Sequence, residues 1–184
     1  MTIVGKPCGL LNQCACAIGG LISIDFNNPS KPIINPINVD FAKYNHSLCI
    51  VDTKGNHADL TDEYAAVPAE MKKVANFFGK EYLRDVNPDE FFNNVSKVRK
   101  ACQDRAVLRA IHFFNENERV SKIIEVLNQD DFDEFKHLIQ ESGNSSYRFL
   151  QNVYASSDPQ NQAVSIALAI GSTKPSCFHC LGDE

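Results

Sequence analysis

The chain contains no tryptophan and only two methionines in 184 residues. It also lacks any run approaching the roughly 18 to 20 consecutive apolar residues that a membrane-spanning helix requires. Its first residues show no basic region followed by an apolar stretch and a small-residue cleavage site. These absences argue against a membrane partner and a secretory leader, and the expectation is a soluble cytoplasmic protein. The formal charge of -5 is not offset by a strong local basic cluster. A phosphate backbone would meet net repulsion, so a nucleic acid partner is not expected. The seven cysteines, at 8, 14, 16, 49, 102, 177 and 180, are odd in number and have no framework spacing, which fits free thiols in a reducing compartment. Cys177-Phe178-His179-Cys180 has a CxxC spacing. It lacks both the second ligand pair of a structural zinc site and the strand-to-helix context of a redox motif, and it reads as tail.

Glycine and proline punctuate the N-terminal third at Gly5, Pro7, Gly9, Gly19, Gly20, Pro29, Pro32 and Pro36, predicting strands and turns there. GLISIDF alternates Leu21 or Ile22, Ile24 and Phe26, and SLCIVDT over 47–53 reads as a short buried strand ending at Asp52. From Asp59 the period turns helical, with Val67, Met71, Val74 and Phe78 on one stripe, acids at Asp59, Asp62 and Glu63, and a stop at Gly79. Asn87-Pro88-Asp89-Glu90 opens a second helix with Phe91, Phe92, Val95 and Val98 on its apolar face. A third is expected from Asp104 to Asn128 and a fourth from near Asp130. The polar faces of these two are well charged and read as solvated. Ser157 and Gln160 suggest a capping box for a last helix that Gly171 should end. Strands followed by helices predict an α+β fold, a small antiparallel sheet and about five packed helices.

Few residues advertise chemistry on their own. Gly5-Lys6-Pro7-Cys8-Gly9 offers flexible backbone N–H groups and a cation, without the spacing of a P-loop or a dinucleotide fingerprint. The histidines at 46, 57, 112, 137 and 179 are scattered, and His112, beside an apolar stripe, reads as structural. Asp52 suits either a site or a turn, the turn being commoner.

Longer blocks are more telling. GKPCGLLNQ and ACAIGGLISIDF, then SLCIVDTKGNHADLTDEYAAVPAEM, RAVLRAIHFFNENERV, ESGNSSYRFLQNVY and SDPQNQAVSIALA, follow one another over roughly residues 5–170. In that order they resemble the bacterial galactokinases, within the GHMP kinases. The resemblance implies a fold in which 1–58 is a remnant of the kinase N-terminal domain, 59–171 leads into and forms part of its C-terminal domain, and 172–184 is a divergent tail. It implies phosphorylation of the anomeric hydroxyl of galactose with ATP and Mg²⁺. It also implies that Gly9 lies against the sugar, that Tyr64 contacts the sugar ring, and that Asn12 stands where the family has its catalytic aspartate. A carboxamide has no useful basicity near neutral pH.

The resemblance departs from the family at both ends. The N-terminal sugar signature and the PxGxGLSSS phosphate loop should precede Gly5, and STKPSCFHCLGDE stands where a Gly-rich block is expected. The expectation is therefore a catalytically deficient galactokinase remnant. Its rivals are a non-catalytic sugar-binding or regulatory module, and one half of a split kinase that needs a complementing chain.

Overall fold

The computed structural model describes residues 10–54 and 61–173. The loop from Gly5 to Gly9, His57, Asp59 and the Cys177–Cys180 motif lie outside them. Within them the fold is α+β, as expected: a two-stranded antiparallel sheet and seven α-helices.

The first element corrects the reading of the N-terminal third. Leu11–Ile18 is a helix, α1, not strand or turn. Its leucine, glutamine and alanines are good helix formers, and glycine punctuates only its end. Gly19, at φ 74°, donates its N–H to the Ala15 carbonyl at 2.9 Å, and Gly20 is left-handed as well. This double reversal feeds β1 (Leu21–Asp25), which pairs antiparallel with β2 (Ile33–Ile37), Ile22 opposite Pro36. A proline fits in β2 because each strand of a two-stranded sheet is an edge, with one side free of ladder bonds.

A second correction concerns 47–53, which forms no strand. Leu48, Ile50 and Val51 are 77, 97 and 64% exposed. A β-prone run becomes a strand only against a partner, and no described strand pairs with this one. Asp52 does form the expected turn, its carboxylate accepting the Lys54 backbone N–H at 2.8 Å.

Helix α2 (Thr61–Phe77) ends before Gly79, whose φ of 68° breaks the helical path. The expected second helix is two. In α3 (Pro88–Asn93), Asn87 caps the Glu90 N–H at 3.1 Å. Asn94 interrupts by turning its own amide back to the Glu90 carbonyl at 2.9 Å, and α4 (Val95–Cys102) follows. Side-chain amides compete in this way for helical carbonyls. Helix α5 (Asp104–Asn128) has the predicted bounds, and α6 (Phe132–Ser145) is capped by the Asp131 carboxylate on the Glu134 N–H. A π-type turn, Ser146–Leu150, leads into a loop and then α7 (Ala163–Thr173).

The Ser157 capping box does not start α7. Asp158 donates its backbone N–H to Ala155 and its carbonyl accepts from Asn161, so tight turns replace the first helical turn. Nor does Gly171 end α7. It is buried inside the helix, with Ser172 and Thr173 bonding back to the Ala169 and Ile170 carbonyls.

The core gathers Val74, Phe91, Val98, Cys102, Val107 and Ala110 from α2 to α5, with Phe91 and Phe114 in ring contact at 5.1 Å. The strands and the helices are joined by polar and aromatic contacts. Arg84 forks onto the Asp25 carboxylate, with its second contact at 2.8 Å. A 3₁₀ turn at Phe41–Tyr44 docks on α6, Tyr44 stacked on Phe132 at 4.1 Å, while Lys43 and Tyr44 both bind the Asp130 carboxylate.

A Cβ at Gly79 would meet nothing within 4 Å, so its replacement tests backbone strain alone. Gly79→Ala is expected to cost about 1 kcal/mol, read as a lower urea midpoint at unchanged slope.

Candidate functional site

Two acids seven residues apart on α2, Glu63 and Glu70, face two arginines one turn apart on α5, Arg105 and Arg109. Both spacings return a side chain to one helix face. Arg105 forks onto Glu70, with Nη2 at 2.6 Å and Nε at 3.0 Å, and its Nη1 lies 3.8 Å from Glu63. Arg109 is 1% exposed and donates to Glu70 at 3.0 Å and to the Leu150 carbonyl at 3.0 Å. Burial pulls the Arg109 guanidinium down from its usual range, with Glu70 opposing, whereas the Glu70 hydrogen bond raises Arg105. Glu63 accepts the Ser156 hydroxyl at 2.6 Å, and this bond holds its carboxyl below the ordinary glutamate range. A polar lattice thus runs from the first turn of α2 through α5 to the loop before α7.

The sequence reading placed the charged faces of α5 and α6 in solvent, and this lattice corrects it for α5. The period of the apolar residues shows which face is greasy. It does not show that an opposite charge from another helix waits on the other face. The signal that was available is the matched spacing of Glu63 with Glu70 and of Arg105 with Arg109.

A second polar seam joins α5 to α6. The buried His112 sets Nδ1 2.9 Å from the Ser145 hydroxyl, and Ser142 donates to Glu116 at 2.6 Å. Glu116 also pairs with Arg119. His112 is therefore a satisfied structural histidine, as read. Desolvation lowers its pKa from 6.5, against an opposing pull from Glu116.

Asn12 lies in the first turn of α1, exposed. Tyr64 lies in the first turn of α2, 55% exposed. Gly9 is outside the described residues. No hydrogen bond or ring contact joins Asn12 to Tyr64 among the described residues, and α1 packs extensively on no other element. Both candidate ligand groups therefore sit at helix N-terminal turns, open to solvent, and only Tyr64 is carried by the core bundle.

No protein-family model matches the chain. Curated relatives do. A galactokinase of Actinobacillus pleuropneumoniae serotype 5b is 30% identical over 142 residues, covering 77% of this chain and 36% of its own length. Galactokinases of Glaesserella parasuis and Mannheimia succiniciproducens are each 30% identical, over 145 and 146 residues, with the same coverage. The chain thus spans about a third of the length of the relatives it matches. The resemblance read from the motifs is a homology to a segment of galactokinases.

The buried imidazole gives a signed prediction. A histidine whose folded pKa is lowered stays neutral in the fold while the unfolded chain takes a proton below 6.5. Its contribution is complete above pH 6.5 and is lost as the pH falls below it. Between pH 6.5 and 4.5, above the range of the lowered carboxylates, the melting temperature should fall, and in His112→Gln that slope should flatten. Equal slopes in both proteins would contradict the assignment.

Proposed function

We propose that this chain, homologous to a segment of galactokinases, recognises galactose or a closely related sugar and transfers phosphate poorly or not at all. The observation that carries the reading is Asn12, which stands exposed in the first turn of α1, at the position where the galactokinase motif that GKPCGLLNQ resembles implies an aspartate. Its carboxamide can accept from or donate to a sugar hydroxyl but cannot remove the proton of one. General-base assistance is worth on the order of 10² to 10⁴ in rate. In this reading Tyr64 supplies an exposed aromatic face for the sugar ring, Gly9 a close backbone approach, and 1–58 and 59–171 correspond to parts of the two domains of a GHMP kinase.

In the family, ATP with Mg²⁺ supplies the phosphoryl group. Mg²⁺ on a nucleotide is held by the phosphates with one or two protein carboxylates, and the described residues offer no preformed cage beyond that. No three His, Cys, Asp or Glu side chains gather among them to hold a metal, and Glu63, Glu70, Asp25 and Asp130 are engaged by serine, arginine, lysine or tyrosine partners. No described helix is long and apolar enough to cross a membrane.

A second reading, one half of a split kinase, is favoured by a specific observation. The run Leu48, Ile50 and Val51 is apolar, exposed and without a ladder partner among the described residues. A β-prone run of this kind can become a strand when another chain supplies the partner. Supplying the remaining two thirds of a relative in trans should then restore turnover and co-elute with this chain.

Calorimetry and a coupled ADP-release assay test the main reading together. Galactose at millimolar concentration should give heat that Tyr64→Ala abolishes, while ADP release stays at background. Turnover in the ordinary kinase range of about 1–100 s⁻¹ would overturn it.

A further inference from the structure

We propose that Glu63 and Ser156 form a positioning clamp for Tyr64, fixing the first turn of α2 to the loop that precedes α7. The proposal rests on the sugar-binding reading of Tyr64 for its function, and on geometry for its existence. Pro68 lies one turn beyond Tyr64 inside α2. A proline has no N–H, so the Tyr64 carbonyl is deprived of its helical partner. The first turn of a helix already carries backbone N–H groups with no partner within the helix. This end of α2 is therefore held weakly by its own ladder. The Tyr64 ring is half exposed, so packing does not hold it in place either.

What holds the turn is the neighbouring side chain. Glu63 accepts the Ser156 hydroxyl at 2.6 Å from a residue 93 positions away, and the Ser157 backbone also bonds to it. From α5, Arg105 faces the same carboxylate at 3.8 Å, with Arg109 behind it. Arg105 is itself locked by its fork onto Glu70, so the charge opposite Glu63 is fixed in place. The backbone of that turn, which carries Tyr64, cannot swing away from the bundle without breaking these bonds. Ser156 is exposed, and its replacement leaves the core untouched.

The absence of tryptophan supplies the test. In a Tyr64→Trp background the indole is the sole tryptophan, and its fluorescence anisotropy reports the mobility of that turn. Adding Ser156→Ala or Glu63→Gln should lower the anisotropy well below the melting range, with helicity by circular dichroism unchanged. Ser156→Thr, which restores the hydroxyl, should return it to the starting value. In the chain that keeps Tyr64, Ser156→Ala should weaken galactose binding by about fivefold, the value of one ordinary hydrogen bond, and Ser156→Thr should not. Identical anisotropy across the series would overturn the clamp, whatever the sugar titration shows. If the unsubstituted chain gives no heat with galactose but the anisotropy series behaves as stated, the clamp stands and the sugar reading falls.

Discussion

A buried guanidinium organises this molecule. Arg109 is shut away from water, and an isolated charge in such a place would cost several kcal/mol. It is tolerated because Glu70 balances the charge and the Leu150 carbonyl accepts a hydrogen bond from its Nε–H. Both conditions are geometric. Glu70 must approach from α2, and the π-type turn after α6 must present a carbonyl inward. The register of α2 on α5 and the path of the chain beyond α6 are therefore set by one side chain. Removing either partner would strand a charge, a larger penalty than removing a methyl group from the core.

The parts outside this lattice are attached in a different way. The hairpin of β1 and β2 meets the helices through Arg84 and Asp25, and the 3₁₀ turn meets α6 through stacked rings and the Asp130 carboxylate. Those ion pairs are exposed. Exposed pairs contribute at most about 1 kcal/mol and are screened by salt. The helical bundle and the strand region thus differ in how firmly they are held, and Asn12 and Tyr64 fall on opposite sides of that difference. A ligand that needs both must order the weaker side.

The helices were legible because their signals are local. Asn87-Pro88 and Gly79 mark ends that the structure keeps, the fourth helix starts close to the expected Asp130, and α5 has the expected bounds. Strand 47–53 was misread because a β-prone run carries no information on whether a partner exists. Helix α1 was missed because its flanking glycines outweighed the eight residues between them. Asn94 split a helix through a side-chain bond that periodicity does not see. For the candidate site, the motif blocks singled out Asn12 and Tyr64 as candidates. The charged lattice behind Tyr64 stayed hidden because each half is an ordinary exposed-looking pattern, and only their meeting across two helices gives it meaning.

The bond from Ser156 to Glu63 spans 93 residues of chain. Closing such a loop in a flexible polymer costs about 4 kcal/mol in its length-dependent part, more than one hydrogen bond returns. It can form only after α5, α6 and the inward carbonyl at Leu150 have brought the two ends together. The bond is therefore a late event in folding and an early one in opening. In kinetic terms the first turn of α2 is among the last parts to be tied down, and exchange of the Ser157 amide, which bonds to the Glu63 carboxylate, records how often that tie lets go.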